Sequence, residues 1–124
     1  MTLPTTQGSV ESTTKQSMQK SLRFMTWVCV LVIAVLSLLP ADAMVRTGID
    51  GRIEHFVAYA GTMLIAGCAY GMQREDWLKM LALCAYAGVL EILQNFSPGR
   101  HPSFLDFAAS SAGVFAGGLL SMLP

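Results

Sequence analysis

A few polar residues in a largely apolar chain stand at spacings that could do chemistry. His55 is followed by Phe56 and Tyr59, and the stretch EILQNFSPGRHPSFLDF at 91–107 holds Glu91, Gln94, Arg100, Ser103 and Asp106. Arginine grips phosphate or carboxylate through two parallel N–H donors, and the start of a helix adds partial positive charge. Histidine and glutamate can move a proton near neutral pH. These types together predict an anion-binding site. Arg100 and Arg52 would meet the negative group, Gln94, Ser103 and Tyr59 would line the site, and Glu91 and His55 would handle protons. Asp106 is either a third proton carrier or only a helix cap. His55, His101, Glu91 and Asp106 carry metal-ligand atoms, but no HExxH or similar local spacing joins two of them, so no metal is expected. No cofactor-binding pattern stands out either.

The elements that position these residues are apolar. The chain has 124 residues, 53% hydrophobic and 13% charged, where soluble domains carry about 25% charged residues. Asp, Glu, Lys and Arg are absent from 24–39, 56–72, 80–90 and 107–123. A membrane-spanning helix needs about 20 mostly apolar residues. The prediction is an all-α, polytopic membrane bundle of four transmembrane helices at about 22–39, 53–72, 77–96 and 103–123. The third reaches that length only by taking Glu91 inside. Residues 1–20, rich in Ser, Thr and Gln, read as a disordered cytoplasmic tail. Formal net charge is zero, which gives nucleic acid no electrostatic hold. Cys29, Cys68 and Cys84 fall inside spans without metal-like spacing and read as small packing residues.

Basic residues near helix ends set orientation. Lys15, Lys20, Arg23, Arg74 and Lys79 lie toward one side and Arg46, Arg52 and Arg100 toward the other, which predicts both termini inside. A competing reading takes the first helix as a secretory signal cleaved after Ala43, within Ala41-Asp42-Ala43. In either case the second helix begins, the third ends and the fourth begins at the outer face. Their ionisable groups therefore converge there.

Helical spacing places the polar groups on packing faces. Ser103, Asp106, Ser110, Gly113 and Gly117 form one stripe, His55, Tyr59, Thr62, Ala66 and Ala69 a second, and Cys84, Gly88, Glu91 and Asn95 a third. Gly113-x-x-x-Gly117 is a spacing that lets membrane helices approach closely. Structural roles compete for some of these residues. Ser103-Phe-Leu-Asp106 fits a capping box, and Pro98-Gly99 suits the centre of a type II turn. Glu91 lies roughly 6 to 8 Å inside its helix end at 1.5 Å per residue, so it needs a partner or a proton. Arg100, Arg52 and the histidines are the candidates. A buried Glu–Arg pair could simply clamp two helices.

Together HFxxY (His55, Phe56, Tyr59), ExxQxFxPGRxxSxxD (Glu91, Gln94, Phe96, Pro98, Gly99, Arg100, Ser103, Asp106) and Gly113 resemble the VanZ-like membrane proteins over roughly 24–123. Gly51-Arg52 stands where that family usually has Asp-Lys, with Asp50 one position early, and Ser110 stands where it tends to have Asn. The resemblance implies a bacterial inner (cytoplasmic) membrane protein of the cell envelope and supplies no reaction. The expected function is recognition, and in its enzymatic form modification, of a lipid or lipid-linked envelope component in an outward-facing polar pocket. The alternative is a non-enzymatic membrane protein, a scaffold, partner-binding protein or small transporter, whose polar cluster clamps helices. The bilayer and a lipid head group are the expected partners; substrate and oligomeric state are not legible.

Overall fold

The computed structural model describes residues 6–40, 42, 48–71 and 77–123. Arg46, Arg74 and both alanines of the candidate cleavage site lie outside them. Among the described residues four α-helices run in order: α1 Thr6–Leu38, α2 Gly51–Tyr70, α3 Trp77–Leu93 and α4 Phe104–Ser121, with a 3-10 turn Gln94–Phe96 closing α3. No strand occurs among the described residues.

Three segments are long and apolar enough to cross a membrane: Gln7–Leu38, Trp77–Phe96 and Phe104–Ser121. α2 does not join them, because Arg52, Glu54 and His55 occupy its first turn. Its 20 residues nevertheless span about 30 Å at 1.5 Å per residue. In α1 only 17% of the most apolar window is buried, and Phe24, Trp27, Leu31, Phe104, Leu119 and Leu120 are all exposed. Apolar surface that extensive needs a non-aqueous neighbour.

The helices alternate in direction. Arg23 Nε of α1 donates to Ala69 O at the end of α2 (3.4 Å), and Trp27 Nε1 donates to the Tyr70 hydroxyl (2.9 Å). The far end of α1 lies beside the start of α2. α2 and α4 run parallel. A Cβ on Gly113 would collide with Phe56 O, and one on Gly117 with Ala60 O, so steps of four on α4 match steps of four on α2. Only glycine permits this backbone-to-backbone approach. α3 packs on α4 and is tied to α1 by the Tyr86 hydroxyl, which donates to Val30 O (2.5 Å). Ile33, Tyr59, Met63, Met80, Ala87, Leu90 and Val114 form the core.

The expected helix boundaries shift most at the N-terminus. α1 begins at Thr6 rather than near 22, so residues 6–20, expected as a disordered tail, are helical. Adding a turn to an existing helix is far easier than nucleating one. The Thr13 and Thr14 hydroxyls add bonds to Ser9 O and Val10 O. This extension is exposed on all sides from Gln7 to Lys20.

A polar cleft and helix caps at one end of the bundle

α1 ends at the same end of the bundle where α2 and α4 begin and α3 ends. Asp50 caps α2 by accepting from the Arg52 backbone N–H (2.9 Å). Arg100 N donates to Ser97 O (3.2 Å), and Gly99 has φ +76°. That is the type II turn expected at Pro98-Gly99, with glycine where the left-handed conformation requires it.

The turn serves α1. The last four carbonyls of a helix lack intrahelical partners, and here each is satisfied. Leu39 N donates to Val35 O (3.1 Å), Arg100 Nη2 to Leu36 O (2.6 Å) and Ser37 O (2.9 Å), and Ser97 Oγ to Leu38 O (2.8 Å). The guanidinium also places positive charge at a helix C-terminus, where the dipole favours it.

Glu91 has a comparable role on α4. Ser103 Oγ accepts from Asp106 N (3.1 Å), which is the serine half of the predicted capping box. In the other half the acid at the third helical position would accept from Ser103 N. Here Glu91 Oε1, from α3, accepts that N–H instead (2.9 Å). The box is split between two helices. Glu91 therefore pairs with a backbone donor and not with Arg100, Arg52 or a histidine.

Two clefts divide the predicted residues. One, of about 140 Å³, is lined by Ile33, Leu36 and Ser37 of α1, Glu54, His55, Ala58 and Tyr59 of α2, and Arg100. Arg100 Nε is buried and makes no hydrogen bond among the described residues. His55 Nδ1 lies 3.2 Å from Ser110 Oγ, a hydroxyl only 2% exposed, so α4 fixes the ring. Glu91 and Ser103 line a separate cleft of about 500 Å³ between α3 and α4, with Gly88, Asn95 and Phe107. Arg52 and His101 are exposed and line neither, and Gln94 is buried.

His55, Tyr59 and Arg100 are thus brought together, while Glu91 and Arg52 are not among them. Sequence reasoning missed Ser37, Ser97 and Glu54 as residues of the site. Glu54 could have been found from its position beside His55 at the start of α2. Ser37 belongs to a run with no polar period. Cys29, Cys68 and Cys84 are free thiols, and no group of three or more His, Cys, Asp or Glu among the described residues could hold a metal.

Comparison of the chain with protein-family models, curated proteins and solved structures gives no match in any of the three.

Proposed function

We propose that the chain is a bacterial inner-membrane protein resembling the VanZ-like group, with four spans and both termini cytoplasmic, whose outward cleft recognises the anionic head group of a lipid or lipid-linked envelope component. The observation that carries this reading is the gathering of Arg100, His55, Glu54 and Tyr59 in one cleft at the polar end of an apolar bundle. Ionisable residues at membrane depth are functional candidates by default. α2 counts as the fourth span because it matches the bilayer core in length and packs in parallel with the apolar α4. Its polar first turn then sits at the interface. With Nη2 engaged by α1 and Nε buried, Arg100 offers the ligand its charge rather than a full bidentate fork. His55, held through Nδ1, is the proton-handling residue; Glu91 positions the start of α4.

Binding of micelles carrying a polyprenyl phosphate, against micelles of a zwitterionic lipid, tests the proposal in His55→Ala and Arg100→Lys. Both variants should bind several-fold more weakly, while His55→Ala loses only about 1 kcal/mol of stability, that of its bond to Ser110. Unchanged binding in both, or losses that only track stability, would remove the site.

A second reading is favoured by the bonds of Arg100, Ser97 and Glu91 to helix ends. There the polar cluster is a clamp in a non-enzymatic membrane protein. It predicts loss of stability in Arg100→Lys with no phosphate-dependent binding in the wild type. For orientation, a cysteine replacing the exposed His101 should react with an impermeant reagent from outside intact cells; protection there would reverse the topology.

A further inference from the structure

We propose that an apolar groove at the opposite end of the bundle holds one acyl chain of an anionic phospholipid. The groove lies between α1 and α3, floored by α2, and is distinct from the polar cleft; it rests only on the chain being embedded in a bilayer. Its volume is about 390 Å³, and Trp27, Val30, Met63, Ala66, Ala82 and Leu83 line it. α1 and α3 are joined by the Tyr86–Val30 bond, and that bond closes the groove toward the bundle centre. From Tyr86 to Lys79 along α3 is about 10 Å at 1.5 Å per residue, room for the part of one chain nearest its head group.

The charge at the other end selects the lipid. Lys79 lines the groove, with Nζ donating to Gly71 O (2.9 Å). The Arg23 guanidinium lies 4.9 Å from the ring centroid of Tyr70, itself a lining residue. Trp27 and Tyr70, joined by a hydrogen bond, are amphipathic rings of the kind found at head-group level. Thr26, Thr62 and Tyr86 also line the slot, each with its hydroxyl bonded to a backbone carbonyl, so two cations and two such rings at its mouth match a negatively charged head group with its chain in the slot. Basic residues at an anionic lipid surface each contribute about a fivefold preference.

Trp27 is a built-in reporter. The chain has two tryptophans, so Trp77→Phe leaves Trp27 alone. That protein is reconstituted in phosphatidylcholine vesicles containing equal fractions of brominated phosphatidylglycerol or brominated phosphatidylcholine. Phosphatidylglycerol should quench Trp27 the more, at about fivefold or greater relative affinity, and high salt should reduce the excess. The excess should vanish in Arg23→Gln/Lys79→Gln. It should also vanish in Ala82→Phe, which fills the slot from an exposed position and leaves both charges. Equal quenching by the two lipids would mean annular contact only and would overturn the proposal, as would an excess that survives Ala82→Phe. Polyprenyl phosphate binding at the polar cleft should be unchanged in Ala82→Phe, so failure at one site is separable from failure at the other.

Discussion

Glu91 is the residue at which a structural and a chemical role diverge most cleanly. Its carboxylate accepts the Ser103 N–H at 2.9 Å, and the partners are half-buried. A hydrogen bond to a charged group contributes about 1.5 to 3 kcal/mol, and a carboxylate at a helix N-terminus about 0.3 to 1 kcal/mol more. Glu91→Ala removes both and leaves a helix-cap N–H without its acceptor, so it should cost about 2 to 4 kcal/mol. Glu91→Gln keeps an amide oxygen where Oε1 stands and gives up only the charge, which weakens the bond to a neutral one and removes the helix-dipole attraction, about 1 to 2 kcal/mol in all. Equilibrium unfolding in mixed detergent micelles reads the difference. Equal losses in the two variants would show that the bond to Ser103 is not what Glu91 contributes. No loss in either would mean that another acceptor takes over, and Asp106 is placed to do so as the third helical residue of the capping box. Glu91→Ala/Asp106→Ala decides that case, since it alone would then be destabilised. A Glu91→Gln protein that is stable but no longer supports ligand binding would restore the proton-handling role.

Gly113→Ala and Gly117→Ala should each destabilise the bundle by about 1 to 3 kcal/mol, because the new Cβ meets the backbone of α2, whereas Gly61→Ala, with open space around it, should be neutral or gain up to about 1 kcal/mol; thermal unfolding in detergent checks all three. Ser97→Ala should cost about 1 kcal/mol by freeing Leu38 O, measured as faster hydrogen exchange in the last turn of α1. Ser110→Ala should leave stability within about 1 kcal/mol while changing the His55 ring tautomer seen by nitrogen NMR; an unchanged tautomer would mean that Ser110 does not hold the ring. Intact-mass measurement of the membrane-extracted protein should show α1 retained, since α1 supplies partners to Ala69, Tyr70, Tyr86, Ser97 and Arg100; a mass beginning after Ala43 would refute this.

The helical class and the convergence of polar helix ends were legible because both follow from local patterns. Charge-free blocks mark helices, and alternating direction then brings the start of α2, the end of α3 and the start of α4 to one end. The Pro98-Gly99 turn and the Ser103 cap were legible for the same reason, since each depends on residues three or four apart. The division of the site was not legible. Glu91 and Arg100 are nine positions apart and carry opposite charges, which invites pairing, yet the turn between them sends Arg100 to α1 and leaves Glu91 facing α4. Which helix a side chain reaches depends on how the helices are arranged around the bundle. Here α2 packs between α1 and α4, and that order rests on the close approach at Gly113 and Gly117, which spacing suggested without naming the partner helix.

The end of α1 explains the form of the segment SPGR better than any single residue of it does. In a bilayer no water is available for an orphan carbonyl, so a helix that ends near the apolar region needs protein donors. α1 has no glycine near its end to turn back on itself, and it is followed by Pro40, which brings no N–H. Its donors must come from elsewhere in the chain. Ser97 and Arg100 stand at the first and fourth positions of one tight turn. The hydroxyl is short enough for Leu38 O, and the guanidinium long enough to reach Leu36 O and Ser37 O one step back. The same placement makes Arg100 line the cleft with His55. Clamp and site are therefore not exclusive roles for this arginine: the bonds that hold α1 also fix the position at which its charge faces the cleft. A lysine there would keep the charge but lose the two-carbonyl grip, and with it the position.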